Sequence, residues 1–426
     1  MRCDTAIAHL ALLTTALSAP TQPEKRSFKV LVPRSAASLD GPTELAKAYK
    51  KHGWSLPSKA VSRVATSNIT FSQKAATGSA PSTEGTGTEN IPVKVGEADT
   101  QFLSPVTIGG QEFNLNFDTG SSDLWVFSNK LPKSQIGLHS AFDPSKSKTF
   151  QDLPGATFQI TYGDKSHASG TVGYDEVKLG SVVVPKQAVE LASVVSSSFA
   201  ADHDSDGLLG LASSKISAVK PQKQLNFFEN ILPTLAAPVF TANLRHHTAG
   251  AYQFGHIDTD QFKGELHYSD VDETAGFWQF QSSLFAIGED TNTKFTNPTA
   301  SPAIADTGTT LLIMDDAVVQ RYYANVEGAV NVEVRGGWHF PCSSQLPDLH
   351  VQLAPDFMGR IPGELINFSK TGENRKGPQC FGGLQSNNGG NIQIFGDVLL
   401  KSMFTVFEQQ SRKVGGKRRV GFAPHA

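Results

Sequence analysis

The sequence points to an all-β protein built as two similar lobes facing each other across a cleft, and three features carry that reading. Gly (38) and Phe (27) are abundant, only 18% of residues are charged, and long helical periodicities are scarce, a pattern of short strands and many turns. Next, Phe117-Asp118-Thr119-Gly120-Ser121-Ser122-Asp123-Leu124-Trp125-Val126 is echoed 188 residues later by Ala305-Asp306-Thr307-Gly308-Thr309-Thr310-Leu311-Leu312-Ile313. A lone Asp-Thr-Gly would be an ordinary turn; two copies, each between an apolar residue and a hydrophobic run, are a duplication. Finally, Leu208-Leu209-Gly210 ends 92 residues after Asp118, and Ile394-Phe395-Gly396 ends 90 residues after Asp306. Two units are too few for a solenoid. They suit two lobes, each bringing one carboxylate to a common interface.

Taken from the start, residues 1–19 hold one early Arg, an apolar run over 6–17 and small residues at Ala16-Leu17-Ser18-Ala19, the plan of a secretory signal. That run is too short for a membrane span, and no later segment reaches the length. Residues 20–76 read as a pro-segment, with a helix expected over 43–51 behind Thr43. Residues 77–90, rich in Gly, Ser and Thr, read as an exposed processing linker. The mature body then divides into lobes over 77–267 and 268–426. Residues 102–126 read as strand, Gly109-Gly110 turn, strand, Asp-Thr-Gly turn, strand. Residues 159–170 read as a hairpin with its tip at Gly163-Asp164-Lys165-Ser166. Helices are expected over 224–235 and 317–326, and Tyr252-Gln253-Phe254-Gly255 begins the crossing between lobes.

Charge is unevenly distributed. Residues 20–74 carry a net +7, leaving −10 on the rest of a chain whose total is −3. A basic leader on an acidic body suggests electrostatic docking of the one on the other. A nucleic-acid arm is the competing reading, but no nucleic-acid motif accompanies it. Of three cysteines, Cys3 lies in the leader; Cys342 and Cys380 read as one disulfide in a secreted chain, the alternative being two separate thiols. No Cys/His set has metal spacing, and His246-His247 reads as a surface pair. Asn68-Ile69-Thr70 and Asn367-Phe368-Ser369 are glycosylation sequons.

The paired Asp-Thr-Gly units, Thr161-Tyr162-Gly163-Asp164, Asp206-Gly207-Leu208-Leu209-Gly210-Leu211-Ala212, Phe395-Gly396-Asp397-Val398 and the ending Val420-Gly421-Phe422-Ala423-Pro424 together resemble the pepsin-like aspartic endopeptidases of the fungal secreted type, the aspergillopepsin/penicillopepsin group. The resemblance runs from about Ile91 to Ala426. It implies a bilobal pepsin-like fold and a zymogen that cuts proteins and peptides at acidic pH beside bulky hydrophobic residues. It also implies a monomer inhibited by its own pro-segment and by pepstatin-type compounds, with no cofactor, metal, nucleic acid or membrane. Asp118 and Asp306 would be the catalytic pair. Thr119, Gly120, Ser121, Thr307, Gly308 and Thr309 would support them. Trp125, Tyr162, Gly163, Asp164 and Thr310 would form the flap and substrate contacts, and Cys342–Cys380 the disulfide.

The chain departs from that group in three places. Family members place a Tyr after the blocking lysine of the pro-segment, whereas His52 follows Lys51, which leaves open which lysine blocks. Lys165 stands where the flap commonly has Gly, with His167 two residues on. Gly415-Gly416-Lys417-Arg418-Arg419 reads as a basic, solvated loop before the last strand. Localisation is expected to be extracellular, with a vacuolar protease as the alternative. A catalytically silent pepsin-fold binding protein is the reading from another class, but such relatives lose an Asp, a Gly or the flap Tyr, and all are present here.

Overall fold

The computed structural model describes residues 26–32, 40–54, 102–161, 167–375, 377–411 and 415–426. The signal, the linker, Asn68 and the hairpin tip carrying Tyr162, Gly163, Asp164 and Lys165 lie outside these residues. Strands dominate. A seven-stranded sheet is formed by β2 (Leu103–Ile108), β3 (Gln111–Asp118), β4 (Leu124–Phe127), β5 (Gln151–Thr161), β6 (His167–Leu179), β7 (Val182–Val195) and β8 (Gly207–Gly210), in the order β2-β3-β8-β4-β7-β6-β5. β2 also pairs with β6, which curls the sheet on itself.

The duplication in sequence is a duplication in topology. β3 runs parallel to β8 with Asp118 opposite Gly210; β8 is antiparallel to β4, and β4 is parallel to β7. In the second half, Ala303–Ala305 runs parallel to Gln393–Phe395, which is antiparallel to Leu312–Met314, itself parallel to Leu384–Ser386. The glycines closing each interval have a steric reason to be glycine. A Cβ on Gly210 would lie 2.4 Å from the backbone carbon of Ser122, and one on Gly396 would lie 2.2 Å from the carbonyl oxygen of Thr309. In each lobe the glycine lets the returning strand press against the turn that presents the Asp.

A third, six-stranded sheet spans the molecule. Its edge strand β1 (Phe28–Val32) comes from the leader and pairs antiparallel with Gly250–Phe254. Val239–Asn243, Met403–Gln409, Arg418–Pro424 and His267–Asp270 follow in that order. Its strands therefore derive from four well-separated stretches of chain. The many phenylalanines make its core: Phe28 stacks on Phe254 at 4.8 Å, Phe254 lies 5.6 Å from Phe240, and Phe240 stacks on Phe407 at 4.6 Å. Such ring pairs add to plain apolar burial. Two four-stranded sheets complete the second half.

Several local expectations shift. The leader helix α1 spans Gly41–Lys51 and starts two residues before Thr43; Thr43 donates its hydroxyl to Asp40 and does not itself cap the helix. The hairpin around the tip is longer than 159–170, running the lengths of β5 and β6. The expected 224–235 helix is a short α-turn, Phe227–Ile231, capped by the Asn226 side chain and followed by a 3₁₀ turn, Leu232–Thr234. The 317–326 helix is Asp316–Tyr323.

The basic segment before the last strand is a solvated loop only as far as Lys417; Arg418 and Arg419 belong to the strand. Arg418 is only 4% exposed: it pairs with buried Glu229 at 2.7 Å, donates Nε–H to Gln409 at 2.9 Å and lies over the Trp278 ring. Strand alternation explains the difference. Arg418 opens Arg418–Pro424, and its side chain takes an inward place in that strand, where a buried carboxylate meets it. Arg419, on the other face, reaches Glu408 and Tyr268. Cys342 and Cys380 form a disulfide. Among the described residues no helix is long and apolar enough to cross a membrane.

Candidate active site

Each Asp emerges from the buried end of a strand and turns at once, so its carboxylate is held by its own loop. Asp118 Oδ1 accepts the Gly120 N–H at 2.8 Å and Oδ2 accepts the Ser121 hydroxyl at 2.6 Å. Asp306 repeats this with the Gly308 N–H at 3.0 Å and the Thr309 hydroxyl at 2.6 Å. Both carboxylates are fully buried. Carboxylates that accept this many donors keep fixed orientation.

The threonines join the two loops. The Thr119 N–H donates to Thr307 Oγ1 at 3.1 Å, and the Thr307 N–H donates to Thr119 Oγ1 at 2.9 Å. Each hydroxyl then donates onward across the interface, Thr119 to the Ala305 carbonyl at 2.8 Å and Thr307 to the Phe117 carbonyl at 2.6 Å. All four groups are buried and satisfied, which makes the joint rigid. A Cβ on Gly120 would sit 2.5 Å from Asp306 Oδ1, and one on Gly308 would sit 2.3 Å from Asp118 Oδ1. Each glycine therefore clears space for the carboxylate of the opposite lobe.

Helix α1 closes the site, and the lysine left open by the sequence is Lys51. Its Nζ lies 2.6 Å from Asp118 Oδ1, 2.7 Å from Asp306 Oδ1 and 2.9 Å from Asp306 Oδ2. His52 Nε2 lies 3.1 Å from Asp306 Oδ2, with the His52 side chain only 3% exposed. Further along α1, the Thr310 hydroxyl donates to Glu44 at 2.8 Å, Glu44 pairs with Lys47 at 3.0 Å, and the Tyr49 hydroxyl donates to the Ser386 carbonyl. The Gly41 N–H donates to Ser369 Oγ, so the last residue of the 367–369 sequon lies buried under the start of the helix; Asn367 itself is half-buried.

Burial raises the Asp118 carboxyl above its ordinary value; Lys51 opposes that shift and the Asp306 charge adds to it. Burial pushes Asp306 up as well, but Lys51 and His52 outweigh it and hold Asp306 well below the carboxylate range. The two carboxyls are thus unequal in this closed state because Asp306 faces two basic side chains and Asp118 one.

Trp125 is buried behind the loop, edge-on to Phe199 at 5.0 Å, and its indole N–H has no hydrogen-bond partner among the described residues. Thus Asp118, Asp306, Thr119, Gly120, Ser121, Thr307, Gly308, Thr309 and Thr310 converge on one cleft with Trp125 nearby. Glu44 and His52 carried no assigned role in the sequence; a basic pair, Lys51-His52, ending an otherwise amphipathic helix was the available signal. Among the described residues no group of His, Cys, Asp and Glu could hold a metal.

Two lobes of matched topology, each presenting one Asp-Thr-Gly carboxylate to the other, define an aspartic protease. A family model for eukaryotic aspartyl proteases matches residues 101–419. The chain is 48% identical over 312 residues to aspartic protease PEP3 of Coccidioides posadasii, covering 73% of this chain and 70% of that one. It is 44% identical to penicillopepsin-1 of Penicillium janthinellum, over 77% of this chain and 96% of that one. It is 45% identical to aspergillopepsin-1 of Aspergillus fumigatus, over 77% and 79%. The chain belongs to the eukaryotic aspartyl protease family and is an aspartic endopeptidase of the aspergillopepsin/penicillopepsin type.

Proposed function

We propose that this chain is the zymogen of a secreted acid endopeptidase, with Asp118 and Asp306 as its catalytic pair and residues 20–76 as its inhibitor. The observation that carries the reading is the seat of Lys51 between the two carboxylates, where a substrate carbonyl and a water would otherwise stand. Peptide hydrolysis needs water made nucleophilic and a leaving nitrogen supplied with a proton. Two adjacent carboxyls do both when they share one proton, which is established chemistry for aspartic proteases. The ionised member takes a proton from water while the protonated member polarises the carbonyl and later protonates the amine. The pair titrates as a unit, so neither role belongs permanently to one residue. Ser121 and Thr309 hold the outer oxygens, leaving the inner ones to the reaction.

Acidification supplies the proton the working pair needs and removes the charge that holds Lys51. It also weakens attraction between the basic leader and the acidic body. The linker over 77–90 is then cut, and a monomeric enzyme cleaves between bulky hydrophobic residues. Tyr162 would cover the bound peptide, and Lys165 beside Asp164 would weaken acceptance of Lys before the cut. Purified proenzyme brought to about pH 4 should convert, with a new N-terminus between residues 74 and 90 and a pepstatin-sensitive digest of a peptide library. A proenzyme fully active at pH 7 without processing would refute the zymogen reading.

A further inference from the structure

Lys51 neutralises one charge of the pair it touches, and the contact made by the next residue completes the account. With both carboxylates ionised, Lys51 leaves the buried cluster one negative charge in excess. His52 stands 3.1 Å from Asp306 Oδ2, on the side of that carboxylate away from Asp118, with the Trp54 ring 5.6 Å and the Phe277 ring 6.5 Å from its own. Since Asp306 Oδ2 can only accept when ionised, His52 Nε2 is the donor. The other titratable groups around this cluster are Glu44 and Lys47 on α1, and, on the helix Asp397–Leu400 and its C-terminal flank, Lys401 and Asp397, whose carboxyl is pushed well above the usual range by burial.

We propose that His52 is a second clamp on Asp306, which keeps the pro-segment seated and delays release to a lower pH than Lys51 alone would set. The inference rests on the reading of residues 20–76 as inhibitor. As pH falls, Asp118, raised by burial and with one basic neighbour, takes the first proton and gives up its bond to Lys51. Asp306 still holds Lys51 and His52, together with Gly308 and Thr309. The helix leaves only when Asp306 is protonated too. Release is therefore a two-step event with a threshold set at Asp306.

The test uses the full-length proenzyme with His52→Phe, His52→Gln and Lys51→Met. Each is held for a fixed short time at a series of pH values between 7 and 3, and conversion is read by gel and by cleavage of a fluorogenic peptide. His52→Phe should raise the pH of half-conversion by about one unit, the shift expected from losing one charged hydrogen bond to a carboxylate. His52→Gln, which can still donate to Asp306, should shift it the same way by less. Once residues 20–76 are cut away the enzyme is the same molecule in every variant, so its final specific activity reports folding separately. Half-conversion of His52→Phe at or below the wild-type pH overturns the clamp, and a His52→Gln shift as large as that of His52→Phe overturns the hydrogen bond to Asp306 as its basis. Lys51→Met, which removes the cation between the carboxylates, should convert at a pH well above that of the wild type. If its half-conversion pH is unchanged, the inhibitor reading itself fails; if it rises while the His52 variants are unshifted, only the clamp fails.

Discussion

Neither Gly120 nor Gly308 adopts a positive φ, so neither is glycine for backbone freedom. Their hydrogens face the opposite carboxylate, and a methyl group there would push one Asp out of reach of the other. On the chemistry proposed for the pair, the same closeness makes both acids necessary. Asp118→Asn or Asp306→Asn should each leave a folded protein with under a few per cent of activity, because an amide cannot share the proton. Peptide hydrolysis by the acid-treated variants, beside their thermal melts, measures this. The threonines hold the lobes at the site together by the same economy of atoms. Thr307→Val should cost roughly 1–3 kcal/mol, chiefly for the Thr119 N–H it leaves unpaired, since the Phe117 carbonyl keeps the Tyr252 hydroxyl at 3.4 Å. Thr307→Ser should restore most of it, and urea unfolding of the two variants distinguishes them.

Between elements, buried ionisable groups decide how the fold answers to change. Arg418 and Glu229 join the last strand to the Phe227–Ile231 turn with both side chains almost wholly buried. Arg418→Met alone should destabilise by about 3–5 kcal/mol, since it strands a buried carboxylate, whereas Arg418→Met with Glu229→Gln should cost far less; chemical denaturation of both is the measurement. This pair was illegible in the sequence because its members stand 189 residues apart, and Gly-Gly-Lys-Arg-Arg has the composition of a surface loop. The Asp-Thr-Gly turns were legible because they and the Leu-Leu-Gly and Ile-Phe-Gly stretches recur at nearly equal intervals. A second buried pair, Asp123 and Glu190, lies beneath the loop of Asp118. Burial raises both carboxyls, and the Asp123 charge pushes Glu190 further up, well above the usual range. Groups raised on folding cost nothing below their unfolded values and destabilise as pH climbs from there toward the folded ones. Glu190→Gln should therefore raise the melting temperature near pH 7 and change it little near pH 4. Equal shifts at both would show that the pair has no part in the pH response.

For the whole molecule, the two lobes were legible and the sheet joining them was not. A duplication announces itself in one reading of the chain, but the six-stranded sheet draws on 28–32, 239–254, 267–270 and 403–424, and no local pattern pairs such distant strands. That sheet gives the leader two anchorages of different kinds. Helix α1 is held at the dyad by the charge of Lys51 and, over its apolar face, by Leu45, Ala48 and Tyr49 packed on Ile304, Leu311 and Phe381, while β1 is held by backbone hydrogen bonds and by Phe28 on Phe254. Protons undo only the charge contacts of α1 and leave β1 untouched. On the zymogen reading proposed above, an opened but uncut proenzyme is a tethered inhibitor, swung off its seat yet confined beside it at high effective concentration. Opening by itself is then reversible, and only the cut gives activation a direction. A brief acid pulse that ends before cleavage should return the chain to full latency on neutralisation, whereas the same pulse lasting past the first cut should not.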